Sequence, residues 1–393
     1  MTTIITATDA AQFLGLVPHL LGFHPSESVV LVPFAGRRSL GAVRLDLEHA
    51  SAADEDATRP VVLLESPADA VDRIAATAIG MVCRLADADA VAVVVYTDEP
   101  IARGRLPREQ LARAVARRAD ACGIELRDAL CVASTGWASF LEADHPEAGH
   151  PLDLIESADT AGALPPVAPG DQHAGADLPV VDPTRLADVA AALDALTAAV
   201  VPAPTTEPAG RAEPAARADP RALETLTALD DIPEFLEDLL VRDAASLPPF
   251  EAARAALCLS RPAVRDIALL QWSGSMRDGD AALAAQLHWE TGAPYPEDLG
   301  ARVWGDGPTP DPDRLAAGLA VARECAALTT GTRRAAVLGL CAWLAWAQGR
   351  STVAADYAAQ ATAIDADAGL AEIVLAFVTT AHLPDWAFQH AAA

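Results

Sequence analysis

Apolar residues follow two different spacings along the chain, and the change of spacing divides it into three parts. In the first part, continuous apolar runs of strand length alternate with stretches of helical spacing. In the last part only helical spacing remains, interrupted by proline and glycine. The stretch between them is rich in Pro, Ala, Gly and Asp. We predict an α/β domain over residues 1–155, a linker with one helix (about 183–200) over 156–220, and an α-helical domain over 221–393.

The most distinctive pattern lies near the start, where a helix, a corner and a strand follow one another. Apolar residues at helical spacing come after Thr8 and Asp9, either of which can cap a helix. Pro18 lies inside this pattern and predicts a kink or a restart. Gly22 is placed to end the helix in a left-handed conformation. The continuous apolar run over 28–32 then predicts a buried strand that is covered on both faces.

A basic turn and an alternating strand follow this corner. Residues 35–39 predict the turn, and residues 40–47 alternate between two sets of side chains that face opposite ways. The opening therefore predicts a helix packed on a two-stranded antiparallel ribbon. Polar residues at one corner or face of this ribbon are His24, Ser26, Glu27, Arg44 and Asp46.

Further strands and helices complete the predicted α/β domain. Residues 91–96 are β-branched and continuously apolar, which predicts a central strand covered on both faces. Residues 124–133 predict another strand, with a hairpin turn leading into residues 137–141. Helices are predicted from Ser66 and from Pro107. This alternation indicates a mixed sheet in a two-layer or three-layer arrangement.

The last part of the chain predicts an all-α, repeat-like domain. Strand signals are absent from residue 221 onward, and glycines and prolines are placed to end successive helices. The pattern of large and small residues around Trp343, Trp346, Gly349 and Tyr357 approximates about one and a half tetratricopeptide-like repeats. We therefore predict a stack of antiparallel helices, with both tryptophans in its core.

Composition excludes several classes of function. The chain has 28 basic and 55 acidic residues, a net charge of −27, which opposes nucleic acid and anionic membranes as partners. It contains no lysine and no asparagine. Phosphate-loop NTPases, protein kinases and pyridoxal-phosphate enzymes each need a lysine, so all three are excluded.

The cysteines and the first residues predict a cytoplasmic location. No two of the six cysteines have the two-residue gap of a metal knuckle or redox motif. The start lacks the pattern of a signal peptide, and charged residues interrupt the apolar stretches before they reach membrane-spanning length. We predict no cofactor and no membrane association.

Two groups of side chains are candidates for binding. His145, Glu147 and His150 have donor atoms suited to a divalent cation, although such residues in a Pro/Gly loop are commonly just solvated. Arg127 and Trp137, paired across a hairpin, would extend the face that carries Arg44 and Asp46. This face is either a binding surface or a solvated face with a cross-strand ion pair.

The opening residues resemble a known family. Residues 17–25, 28–30 and 44–47 are similar to the opening of an actinobacterial family, domain of unknown function 4192. The resemblance continues at 127–130, near Trp137, at 264–266, and around Trp343 and Trp346. Members of that family often carry a Cys-Cys-Pro segment soon after the tryptophan, but residues 144–151 contain no cysteine. The resemblance implies a fold and a bacterial source, and no activity.

These observations favour recognition over catalysis. Catalytic motifs are absent from the sequence, and tetratricopeptide-like helices commonly bind other proteins. We expect a protein-interaction or scaffolding module with a protein partner or self-association. The alternative is a small-molecule-binding protein or an enzyme, with its site where the strand ends of the sheet meet the corner at residues 23–27.

Overall fold

The structure, a computed structural model, describes residues 7–47, 67–156, 167–200 and 219–389. The chain forms two compact units, the first ending at Ala174 and the second beginning at Gly175. Residues 61–64, an apolar stretch of strand length, lie outside the described residues.

One mixed sheet organises the first unit. Its strands are β1 (Ser28–Ala35), β2 (Arg38–Ser39), β3 (Val43–Asp46), β4 (Ala90–Tyr96), β5 (Glu125–Ala133) and β6 (Gly136–Ser139). The order across the sheet is β2-β1-β4-β5-β6, and β3 pairs with β1. Only β4 and β5 run parallel, whereas β1 is antiparallel to β2, β3 and β4, and β5 is antiparallel to β6. The predicted mixed sheet is therefore confirmed.

Helices cover both faces of this sheet. They are α1 (Ala10–Leu21), α2 (Pro67–Cys83), α3 (Glu109–Ala121) and the short α4 (Asp153–Glu156). On one face, α1 packs Leu14 and Val17 against β1 and β4. On the other face, α2 and α3 pack against the remaining side chains of the same two strands. Every residue of β4 is buried, as its continuous apolar run predicts.

The ends of α1 follow from its sequence. Asp9 caps the helix by accepting a hydrogen bond from the Gln12 amide at 2.8 Å. Gly22 ends it with φ at +82°, and its amide donates to the Pro18 carbonyl at 2.7 Å. Of the two outcomes predicted at Pro18, a kink or a restart, the restart does not occur, because α1 continues through that residue to Leu21.

The second unit is helical throughout its described residues. Its helices are α5 (Pro183–Val200), α6 (Pro220–Thr227), α7 (Ile232–Val241), α8 (Pro249–Leu259), α9 (Pro262–Trp272), α10 (Met276–Glu290), α11 (Glu297–Val303), α12 (Pro312–Ala327), α13 (Gly331–Ala347), α14 (Ser351–Ile364) and α15 (Gly369–Thr379). Short 3-10 turns span Ala244–Ser246 and Asp385–Phe388. No helix among the described residues of the chain is long and apolar enough to cross a membrane.

Tryptophans anchor the core of this helical unit. Trp272, Trp343 and Trp346 are fully buried, as predicted for the last two. Each indole N–H donates to a backbone carbonyl, at 3.1 Å from Trp272 to Leu236, 2.9 Å from Trp343 to Val303, and 2.8 Å from Trp346 to His382. Alanine fills much of the space between the helices. Large apolar rings with satisfied N–H groups therefore fix how these small-residue helices pack.

Candidate functional site

The sheet topology brings the opening corner to the carboxyl ends of two strands. Because β1 is antiparallel to β4, and β4 is parallel to β5, the first residue of β1 lies beside the last residues of the other two. Ser28 pairs with Tyr96, and Tyr96 pairs with Val132. We call residues 22–28, 96–99 and Gln172 the strand-end corner. Ligands of open α/β sheets commonly bind outside the carboxyl ends of strands.

Glu27 is held at this corner by the end of β4. Its carboxylate accepts hydrogen bonds from the Thr97 hydroxyl at 2.8 Å and from the Asp98 amide. The Arg108 guanidinium lies 3.6 Å from the other carboxylate oxygen and 2.9 Å from Glu99. The Glu27 side chain is 16% exposed, so the ion pair is partly shielded from water. A charged group thus sits in a fixed position at the strand ends.

Backbone strain occurs at the corner and in the connection that follows β4. Among the described residues other than glycine, φ is positive at Glu27 (+35°), Arg103 (+53°), Arg108 (+60°) and Ala381 (+53°). The first belongs to the corner, and the next two lie in the connection from β4 to α3. Such conformations cost free energy and tend to cluster at ligand sites and switches. These residue types do not favour a positive φ by their own local preference.

Two buried hydroxyl groups lie beneath the corner. Ser28 is fully buried and Tyr96 nearly so, and neither hydroxyl has a hydrogen-bond partner among the described residues. They are directly opposite each other across β1 and β4, on the face that carries Val30 and Val94 against α1. Burial raises the pKa of the Tyr96 phenol well above its ordinary value. Both hydroxyls therefore present neutral donors and acceptors at the strand ends.

A segment distant in sequence, which includes Gly170 and Gln172, covers the corner through hydrogen bonds to its backbone groups. The Gln172 side chain accepts from the Ser26 amide and donates to the Ser26 carbonyl, both at 3.1 Å. The Gly170 carbonyl accepts from the His24 amide at 3.2 Å. These residues lie in the stretch predicted as linker. Sequence reasoning missed Gln172, because no local pattern marks a contact across 146 residues.

The structure brings together five of the seven residues proposed as a binding surface. His24 is exposed, while Ser26 and Glu27 are half-buried. Arg44 and Asp46 form a two-bond ion pair along β3, at 2.5 and 3.1 Å. Asp46 is paired with Ser28, so this ion pair also lies at the corner end of the sheet. Phe23 is half-buried.

Arg127 and Trp137 lie elsewhere. Arg127 donates to the Gly36 carbonyl and stacks over the Phe34 ring at 4.4 Å, at the opposite end of the sheet. The predicted pairing of these two residues is wrong, because Trp137 pairs with Val132. Trp137 is only 7% exposed and packs in the core under α1. A side chain buried in this way cannot serve as an exposed aromatic anchor, so the predicted face does not form.

Two of the three weaker metal candidates, His145 and His150, bond to other groups, and Glu147 is exposed. His145 Nδ1 is 2.9 Å from the Pro146 carbonyl, and His150 Nε2 is 3.2 Å from Glu142. The His150 ring also stacks on Trp137, with centroids 4.6 Å apart. Within the described ranges, no group of three or more His, Cys, Asp or Glu side chains is placed to hold a metal ion.

Comparison with known proteins links this geometry to one family. The family model described as Domain of unknown function (DUF4192) matches residues 11–302. This range includes the whole strand-end corner and reaches α11 of the helical unit. No curated protein and no solved structure matches the chain.

Proposed function

This chain belongs to the DUF4192 family, whose description assigns no activity, and we propose that its first unit binds a small polar ligand at the strand-end corner. The observation that carries this proposal is the pair of buried hydroxyls, Ser28 and Tyr96, without partners among the described residues. A buried polar group without a hydrogen bond costs about 1–3 kcal/mol. Two such groups opposite each other are better explained by a ligand than by the needs of the fold.

The surroundings of these hydroxyls support the same proposal. Glu27, the residue before Ser28, carries a carboxylate at a strained backbone position of the same corner, and its hydrogen bonds to Thr97 and Asp98 fix its orientation. Strain that persists at a rigid strand end is typical of a preorganised binding site. The available groups are two hydroxyls and a carboxylate, so they suit a ligand that carries O–H or N–H groups.

A ligand screen with a matched pair of serine variants tests this proposal. Full-length protein is screened by thermal shift against nucleotides, metal ions and polar metabolites, and hits are measured by calorimetry. We expect one ligand class to raise the melting temperature by several degrees, because ligand bound only to the folded state stabilises it by mass action. Ser28→Ala should keep its own stability and lose that shift, whereas the exposed Ser134→Ala should retain it.

Two results would contradict the proposal. One is a screen in which no polar ligand shifts the melting temperature. The other is a hit whose affinity is the same in Ser28→Ala, Tyr96→Phe and the wild-type protein. Because neither hydroxyl bonds to a described group, both variants are expected to fold, so loss of binding is separable from loss of structure.

A second candidate function, protein recognition, is favoured by an apolar pair on the helical unit. Leu287 and Trp289 are 56% and 55% exposed near the end of α10, and exposed tryptophans are frequent anchors at interfaces. We propose that this end of α10 supports self-association or a protein partner. We also propose a tetratricopeptide-like arrangement for α13 and α14, and a cytoplasmic location for the protein.

The recognition proposal has a direct test. Sedimentation velocity and pull-down from the native host compare the wild-type protein with Leu287→Glu/Trp289→Glu. Loss of an assembly in this double variant supports the proposal, and an assembly that persists unchanged contradicts it. Val241→Glu is a suitable control, because Val241 is 84% exposed on another helix of the same unit.

A further inference from the structure

The helical unit contains a cavity that the proposed corner site does not use. Its volume is about 400 Å³, toward the lower end of the roughly 300–1,000 Å³ usual for small-molecule sites. Its walls come from α9, α13 and α15, and from the connection between α14 and α15. Charged side chains of both signs line it: Arg265, Arg333, Asp365 and Asp367.

Two arginines in the lining of the cavity, Arg265 and Arg333, favour a negatively charged group. Arg265 is only 13% exposed and pairs with Asp266 at 2.8 Å, which fixes its position. Arg333 donates to the Thr197 hydroxyl at 3.0 Å, and its guanidinium carries five N–H donors, so further donors are available to a ligand. The planar fork of a guanidinium matches the geometry of a carboxylate.

Helix ends add positive character to the cavity. Helices α9, α13 and α15 all begin at the cavity, and none has a side-chain hydrogen bond at its N-cap. By contrast, Asp231 and Asp311 cap α7 and α12 in the same unit. Uncapped helix starts leave backbone N–H groups without intrahelical partners and carry partial positive charge. They reinforce the two arginines.

Two aspartates in the same lining favour positive charge. Asp365 ends α14, and Asp367 follows it in the connection to α15. The Asp365 carboxylate accepts from the Asp367 amide at 3.1 Å, which orders this connection. The Asp367 side chain is exposed at the cavity and adds a carboxylate to its lining. The cavity is therefore lined by charged groups of both signs.

We propose that this cavity binds a small zwitterion of the amino-acid class. The carboxylate of the ligand contacts Arg265 and Arg333, and its ammonium group contacts Asp365 and Asp367. A free anion would meet the aspartates, and a free cation would meet the arginines, so only a ligand with both charges satisfies both kinds of group. This site is independent of the strand-end corner, because all its residues lie in the helical unit.

Calorimetry on the full-length protein tests the proposal. The standard amino acids are titrated singly, with acetate and methylammonium as probes of each half of the zwitterion. We expect at least one amino acid to bind with one-to-one stoichiometry, and each half alone to bind at least about tenfold more weakly. Arg333→Gln and Asp367→Asn should each weaken that binding by about tenfold or more.

Two matched variants serve as controls. Arg277→Gln and Asp313→Asn remove the same charges at exposed positions outside the cavity, and both should bind as the wild-type protein does. Asp367 is also exposed, so Asp367→Asn keeps the test valid even where an arginine variant fails to fold. Circular dichroism verifies folding for every variant.

Three outcomes would overturn the proposal. The first is the absence of binding by every amino acid up to about 10 mM. The second is unchanged binding in both Arg333→Gln and Asp367→Asn, which would place the ligand elsewhere. The third is acetate binding as tightly as the best amino acid, which would make the cavity a plain anion site.

Discussion

The two units treat a buried tyrosine hydroxyl in opposite ways. In the helical unit, the Tyr357 hydroxyl donates to the Gly175 carbonyl at 2.5 Å, and the buried Trp386 indole donates to Ala347 at 3.0 Å. In the α/β unit, the hydroxyls of Ser28 and Tyr96 have no partner among the described residues. A satisfied buried group fixes how a core packs, whereas an unsatisfied one lowers stability. The first arrangement serves the fold, and the second indicates a group kept for another purpose.

The largest expected effect tests the core of the helical unit, in which the buried tryptophan N–H groups are hydrogen-bonded. Trp346→Ala removes a fully buried ring that packs on Phe377 and donates to His382, so we expect the free energy of unfolding to fall by about 3–5 kcal/mol. Chemical denaturation followed by circular dichroism measures the loss. Trp289→Ala, at an exposed position, should change it by less than about 0.5 kcal/mol. Equal losses in the two variants would contradict a core fixed by buried tryptophans.

A glycine pair tests the corner itself. Gly22→Ala should cost about 1 kcal/mol, because φ is +82° there and an added β-carbon meets strain even though nothing lies within 4 Å of it. Gly80→Ala, in the middle of α2 with equally open space, should instead stabilise by about 0.5–1 kcal/mol. Thermal denaturation measures both changes in stability, the expected loss in Gly22→Ala and the expected gain in Gly80→Ala. A stabilising Gly22→Ala would show that the corner does not need its left-handed residue.

Two tyrosines allow the sharpest comparison between the units. Tyr357→Phe loses a hydrogen bond and should cost about 1 kcal/mol, whereas Tyr96→Phe removes an unsatisfied hydroxyl and should be neutral or slightly stabilising. Urea denaturation of both variants and the wild-type protein is the measurement. A loss in Tyr96→Phe as large as that in Tyr357→Phe would mean that the Tyr96 hydroxyl already serves the fold.

The smallest effect depends on pH. Hydrogen bonding to Arg314 lowers the pKa of Glu237 in the folded protein, below its ordinary 4.5. The stabilisation is therefore fully present above about pH 4.5 and is lost as the pH falls through the lower, folded-state pKa. We expect Glu237→Gln to cost less than about 1 kcal/mol at pH 7, since the side chains are partly exposed, and progressively less in acid.

Denaturation at pH 7 and in acid, for the wild-type protein and the variant, measures this difference. Glu109→Gln removes an exposed ion pair within α3 and should cost only a few tenths of a kcal/mol at pH 7. A destabilisation by Glu237→Gln that grows as the pH falls would contradict the predicted direction of this pH dependence.

Much of the fold could be predicted because its elements are marked locally. The buried strands at β1 and β4 follow from continuous β-branched runs, and α1 ends at Gly22 because only a residue without a β-carbon takes that conformation easily. Trp343 and Trp346 are core residues because large rings at helical spacing must be buried. Repeat-like character is not settled by such local marks.

The site was less predictable because it depends on pairing between distant segments. Glu27 could be singled out at the corner, but its contact with Thr97 follows only from the antiparallel pairing of β1 and β4. Trp137 was misplaced because a one-strand pattern does not say which face of the sheet a helix covers. The position of Arg127 was predicted wrongly because the residues around it do not determine the register of β5 against β4.

The contact between Ser26 and Gln172 has a consequence for how the protein is made. The two residues are separated by 146 positions. At about 5–20 residues per second, a ribosome needs roughly 7–30 s to travel from one to the other. For that time the emerging chain holds a corner whose Ser26 amide and carbonyl lack this partner. The strand-end corner is therefore completed only when Gln172 has emerged, well after α1 and β1 have left the ribosome.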